Sequence, residues 1–306
     1  MLAAAPPGYR SGVRTRTIGN DAVGRHEVGA IGLGLMTFDQ TGTAPREQLA
    51  DTVRAALDAG VTLFDTADAY GPGEEKGAGA QGENERLIAS LLDELGVRDR
   101  VLLATKGGHV RTDGGGWATD SSPENLHAAV DASLQRLGVD RIALWQHHRP
   151  DPAVPYDEVI GTLKEIADSG RVAMIGLSNA DPDQIRTAHA VLGDVLVSVQ
   201  NQFSPAFRSS RPEIDVCAEL GLAFLPWSPL GGLGDAKELA ELHPAFAEIA
   251  QARGVSPQQV ALAWELAQAP VVIPIPGAKR PQSITDSAAA ADLDLTPDEV
   301  ARLDAS

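Results

Sequence analysis

Leu63-Phe64-Asp65-Thr66-Ala67-Asp68-Ala69-Tyr70-Gly71 begins as an apolar strand, running from Val61 after the helix-ending Gly60, and then breaks into a polar loop bounded by glycine. An unpaired carboxylate at the end of a buried strand is costly to desolvate, so Asp65 implies a cation beside it. The next apolar run, Val101 to Thr105, ends in Lys106, and a third, Ile142 to Trp145, ends in Gln146-His147-His148. Three successive strands therefore deliver an acid with a tyrosine, a lysine and a histidine at one relative position. The carboxyl ends of successive parallel strands are where a (β/α)8 barrel keeps its titratable groups.

Working outward, the chain alternates strand and helix with short connections. Two β-prone pieces, Arg14 to Ile18 and Arg25 to Gly29, flank turn residues and predict a hairpin. Strands are expected at 30–34, 61–65, 101–106, 142–148, 172–177, 196–200, 222–227 and 271–275, which is enough to close a barrel. The intervening helices start and stop on recognisable residues. Ser122-Pro123 and Asp181-Pro182 combine a cap with proline at the first helical position, whereas Gly96, Gly138 and Gly221 mark helix ends. After the seventh strand, helices are expected over 243–253, 257–269 and 281–291, with a terminal one from Thr296. Loops 71–83, 107–121, 201–210 and 230–242 are longer than connection requires, which suits substrate recognition. The run Gly77-Ala78-Gly79-Ala80-Gln81-Gly82 matches a dinucleotide fingerprint, but Glu74-Glu75-Lys76 precedes it where an apolar strand is needed, so it reads as a flexible loop.

Composition bounds the rest. A chain of 306 residues, 43% hydrophobic and 22% charged, suits one large α/β domain over 14–306 preceded by a flexible arm, 1–13. The net charge of −17 argues against nucleic acid and anionic membranes as partners, and no apolar run is long enough to span a bilayer. The N-terminus lacks the basic flank and apolar segment of a signal peptide, and the single Cys217 reads as a buried structural thiol, so a cytoplasmic location fits. The oligomeric state is not readable.

FDTADAY (64–70), GENERLI (82–88), ATKGG (104–108), WQHHRPDP (145–152), IGLSN (175–179), VQNQFSP (199–205), PWSPLGG (226–232) and IPIPG (273–277) together resemble the aldo-keto reductases, in family order across residues 15 to 305. The resemblance implies a TIM barrel with an N-terminal hairpin closing its bottom and extra C-terminal helices. It also implies an NADPH-dependent reduction of an aldehyde or ketone that needs no metal. Tyr70 would be the general acid, with Lys106 beside it to make a phenol of pKa near 10 more acidic, each unit being worth about 1.36 kcal/mol. Asp65 would keep the ammonium charged, and the three would titrate as a set. His148, which precedes Arg-Pro-Asp-Pro, would point inward and orient the substrate carbonyl, and alternation would send His147 towards the helices.

For the cofactor, the resemblance implies Ser178, Asn179 and Gln200 at the nicotinamide carboxamide, with Trp227 flat against the ring and Asp65 and Met36 nearby. Ser228, Leu230 and Gly231 would face the diphosphate, beside Gly277. Lys279 and Arg280, just before a helix start, supply the local positive charge that an acidic chain needs for a 2′-phosphate, which favours NADPH over NADH; Ser283 belongs with them. The family's final adenine contacts are usually Glu-Asn, and here they are Asp286-Ser287. Two other classes compete. A cofactor-sensing binding subunit would turn over little test aldehyde, and a Schiff-base lysine would be trapped by borohydride, although Asp65 would hold that amine protonated.

Overall fold

A closed parallel sheet wrapped by helices organises the computed structural model, which describes residues 13–38, 44–72, 79–113, 116–232 and 235–306. Most of the expected N-terminal arm, part of the 77–82 glycine run and pieces of three long loops lie outside the described residues. β1 (Thr15–Asn20) and β2 (Gly24–Gly29) form an antiparallel hairpin. The barrel strands are β3 (Leu33–Gly34), β4 (Leu63–Asp65), β5 (Leu102–Gly107), then, after a second hairpin of β6 (His109–Arg111) and β7 (Trp117–Thr119), β8 (Ile142–His147), β9 (Val172–Ser178), β10 (Leu196–Gln200) and β11 (Ala223–Phe224). They run parallel in the order β11-β10-β9-β8-β5-β4-β3. Between and after them come α1 (Arg46–Asp58), α2 (Glu83–Leu95), α3 (Pro123–Leu137), α4 (Tyr156–Asp168), α5 (Pro182–Leu192), α6 (Arg211–Leu220), α7 (Asp235–Leu242), α8 (Pro244–Arg253), α9 (Pro257–Gln268), α10 (Pro281–Ala289) and α11 (Pro297–Asp304). The fold is a TIM-barrel-like (β/α)8 arrangement with additional C-terminal helices.

The eighth strand differs from expectation in kind. Residues 271–277 close the ring through parallel bridges, Val272 to Phe224 and Gly277 to Gly34, without forming a regular strand. The reason is the two prolines. Ile273 and Ile275 donate to the carbonyls of Phe224 and Pro226, whereas towards β3 the carbonyls of Pro274 and Pro276 only accept, from Gly32 and Gly34. A proline has no N–H to return, so that side of the ladder is one-way. Gly34 is required here, since a Cβ on it would meet the Ile275 carbonyl oxygen at 2.8 Å. The first and seventh strands are also shorter than their apolar runs, and the 230–242 and 107–121 loops contain α7 and the β6–β7 hairpin.

Apolar side chains inside the ring, among them Leu63, Ala104, Leu144, Met174, Val197, Leu225 and Ile273, pack on Ile18 and Val28 of the first hairpin, which plugs the bottom. Outward residues such as Trp145, Ile175 and Val199 meet the helices. The caps of α3, α5, α9 and α11 follow one pattern: Ser122, Asp181, Ser256 and Thr296 each accept an N–H three residues on, with proline next in line. Each such cap is worth about 1 kcal/mol. Among the described residues no helix is long and apolar enough to cross a membrane.

Candidate active site

β4 and β5 are neighbours in register Asp65 to Ala104, so Lys106 stands two residues further up the same inward face. Its side chain is fully buried, and Nζ donates to Asp65 Oδ2 at 2.5 Å, to the Thr66 carbonyl at 2.9 Å and to Tyr70 Oη at 3.3 Å. All three ammonium protons are thereby used. The other oxygen of Asp65 accepts from Gln146 Nε2 and Gln200 Nε2, both at 2.9 Å. Gln146 was not among the expected site residues, although counting back by two from His148 would have turned it inward. Gly176 makes room for it: a Cβ there would lie 2.5 Å from Ser198 Oγ and 2.8 Å from Gln146 Cγ.

The electrostatics correct one expectation. The Lys106 ammonium does lower the pKa of Tyr70, but burial outweighs it, with Asp65 adding to the rise, and the phenol sits above its ordinary value. For Lys106, burial opposes the charge, yet Asp65 and Tyr70 together hold the ammonium above its usual range. The site thus holds a charged lysine against a protonated phenol.

His148 follows β8 and lines the cavity beside Tyr70, their ring centroids 5.8 Å apart and edge-on. Burial first, then the charges of His109, Lys106 and Arg149, push its pKa well down, so the ring is neutral at neutral pH. Its Nδ1 has no hydrogen-bond partner among the described residues. His147 faces the other way, its Nε2 2.8 Å from Ser121 Oγ, and burial pushes its pKa down to about 4.

The β6–β7 hairpin was read as loop, and it builds a wall. His109 stacks on His148 at 4.0 Å, and the Trp117 ring stands edge-on to Tyr70 at 6.2 Å. Arg111, only 8% exposed, lies against the Trp117 ring and donates to the carbonyls of Ala69 and Gly71, the residues on either side of Tyr70. Strands of three residues are too short for alternation to reveal.

A cavity of about 270 Å³ opens over these groups. Met36, Asp65, Ser178, Asn179, Gln200, Trp227, Ser228, Leu230 and Gly277 all line it, as do Tyr70 and His148. Gly232 lines it and the expected Gly231 does not. Asn179 and Ser228 have positive φ, at 59° and 49°, and both sit where strands give way to the cavity rim. Such backbone is uncommon outside glycine and gathers at functional sites. Lys279, Arg280, Ser283 and Asp286 are outside the lining. Arg280 is the N-cap of α10 and its guanidinium reaches Ser283 Oγ at 3.3 Å. The Asp286 carboxylate accepts from Ser256 Oγ at 2.7 Å and Gln259 Nε2 at 2.6 Å. It ties α10 to α9.

The profile of the Aldo/keto reductase family matches residues 30–306, nearly the whole described barrel. The chain belongs to the aldo/keto reductase family. It is 36% identical over 295 residues to 6-dehydroglucose reductase of Novosphingobium aromaticivorans, covering 93% of this chain and 90% of that one. It is 33% identical over 298 residues to probable aldo-keto reductase 1 of Glycine max, covering 88% and 83%. An aldo/keto reductase from Klebsiella pneumoniae solved with NADP and acetate superposes with a TM-score of 0.75 at 26% identity, over 92% of both chains. Glycerol dehydrogenase of Gluconobacter oxydans, at 23% identity, shares the fold, with a TM-score of 0.78 over 95% and 94%. For an aldo/keto reductase, the described cavity stands where a (β/α)8 barrel keeps its chemistry, at the carboxyl ends of the strands.

Proposed function

We propose that this chain reduces an aldehyde or ketone to the alcohol with NADPH, and that Tyr70 is the proton donor. The observation carrying this reading is the Lys106 ammonium, hydrogen-bonded to both the Asp65 carboxylate and the Tyr70 hydroxyl beneath a cavity that His148 also lines. NADPH, when bound, supplies the hydride to the carbonyl carbon. Tyr70 gives its proton to the carbonyl oxygen, and a general acid must still hold that proton at working pH, which its raised pKa ensures. The charge then left on the phenol oxygen faces Lys106, so the ammonium stabilises the product side of the transfer. Neutral His148 offers an N–H donor that orients the carbonyl. Asp65, fed by two glutamines, keeps Lys106 in place.

The lining residues fit a dinucleotide. Ser178, Asn179 and Gln200 are neutral hydrogen-bonding groups suited to a carboxamide, and the Trp227 indole presents a flat apolar face with its Nε1 unpartnered among the described residues. Ser228, Leu230, Gly231 and the adjoining Gly232, with Gly277, would take the diphosphate side. Lys279 and Arg280, with Ser283, would take a 2′-phosphate at the start of α10, which favours NADPH over NADH. Asp286 is engaged with α9, so it is not assigned to the adenine. The NADP in the Klebsiella relative and the reductase named in Novosphingobium support cofactor and direction.

Tyr70→Phe tests the reading. Turnover of a reactive aldehyde, followed at the NADPH absorbance, should fall by about 10²–10⁴-fold. NADPH affinity, read by fluorescence titration, should stay within a few-fold. Undiminished turnover would reject Tyr70 as donor.

A further inference from the structure

Arg149 is a charge the chemistry above does not use. It follows His148 directly, is exposed, lines the same cavity and makes no hydrogen bond or ion pair with any described residue. In a chain with 42 acidic residues against 25 basic ones, a guanidinium on the cavity wall that no carboxylate claims is open to an anionic ligand. The guanidiniums of Arg46, Arg98, Arg136, Arg171, Arg186 and Arg253 each hold a carboxylate. The remaining charge on the cavity wall cancels, because Asp65 is neutralised by Lys106 at 2.5 Å. Among the described residues the lining therefore carries one uncompensated positive charge, close enough that Arg149 helps depress both His109 and His148. Beside it stands the aromatic wall, with Trp117 44% exposed and edge-on to Tyr70.

We propose that the substrate is a carbonyl compound carrying a carboxylate, which Arg149 receives while Trp117 and His109 cover its apolar part. This rests on the reductase reading and narrows its substrate class. A guanidinium matches a carboxylate in shape and charge and can pair with it bidentately, so the expected preference over the neutral ester is about tenfold.

The test compares 4-carboxybenzaldehyde with its methyl ester under saturating NADPH, in the parent and in Arg149→Ala and Arg149→Lys. The parent should favour the acid about tenfold in kcat/KM, chiefly through KM, and added salt should erode that ratio. Arg149→Ala should bring the ratio close to one, and Arg149→Lys should keep part of it. Equal values for acid and ester in the parent, or a ratio unmoved by Arg149→Ala, overturns the assignment and leaves the reductase reading standing. An NADPH Kd that rises in Arg149→Ala as much as the acid's KM would assign the guanidinium to a cofactor phosphate, and also overturns it. If neither aldehyde turns over, the reductase reading fails, and calorimetry with 4-carboxybenzyl alcohol decides the anion question separately. Tighter binding than its methyl ester, lost in Arg149→Ala, supports the site; no preference refutes it.

Discussion

Arg111 holds Tyr70 by its backbone, one guanidinium donating at 2.9 Å to the carbonyl before the tyrosine and at 2.9 Å to the carbonyl after it. The loop carrying the phenol leaves β4 and is also pinned by Asp68 N–H on the Lys106 carbonyl and by Asn84 N–H on the Tyr70 carbonyl, but among the described residues the guanidinium alone brackets the tyrosine on both sides. Misplacement of a reacting group by about 1 Å can cost on the order of 100-fold. Arg111→Ala is therefore expected to lower kcat about 10–100-fold with little change in NADPH affinity, and Arg111→Lys to recover part of it. A variant that melts earlier but keeps the parent kcat would make Arg111 a stabilising residue only.

The pH profile should have one limb. His148 is held well below its ordinary value, first by burial and then by His109, Lys106 and Arg149, so it stays neutral from neutral pH upward. Tyr70 is raised, so it keeps its proton through the same range. In the reductive direction kcat/KM should be level from neutral pH upward and fall only above the ordinary phenol range, as the raised phenol ionises. An inflection near pH 7 that disappears in His148→Gln would mean the imidazole titrates in the working range and would contradict this.

Glu265 in α9 is fully buried, and neither carboxyl oxygen has a partner among the described residues. Burial raises its pKa well above the usual range. The native fold then binds that proton more tightly than the unfolded chain does. Its contribution is most favourable below the unfolded carboxylate value, about 4.3, and is lost as pH climbs towards the raised folded value. Glu265→Met keeps the volume and removes the titration, so it should be more stable than the parent at neutral pH by about 1–3 kcal/mol. The gap should narrow towards pH 4. Urea midpoints at the two pH values measure it, and a gap independent of pH would exclude the protonation argument.

Much of the barrel was open to reading because its signals are local. Ser122-Pro123, Asp181-Pro182 and Thr296-Pro297 mark helix starts through chemistry contained in two or three residues, and the structure begins α3, α5 and α11 there. Asp65 and Lys106 stood out because charge at the end of an apolar run is costly to leave alone. The β6–β7 hairpin was hidden, since His109–Arg111 and Trp117–Thr119 pair across a loop and carry no periodicity of their own. The ragged eighth strand was overcalled from its apolar content, because Val271 to Ile275 is a continuous apolar run, whereas Pro274 and Pro276 leave one ladder side without donors.

Residue order alone determined which side chains end the strands and that an acid, a phenol, a lysine and a histidine share one rim, because strand ends and caps depend on near neighbours. Three-dimensional packing decided the rest: that Gln146 and Gln200 feed Asp65, that Asp286 turns to α9, and that the phenol of Tyr70 becomes a weaker acid despite its lysine. Desolvation is set by everything that surrounds a group, and those surroundings arrive from strands and loops far apart in the chain.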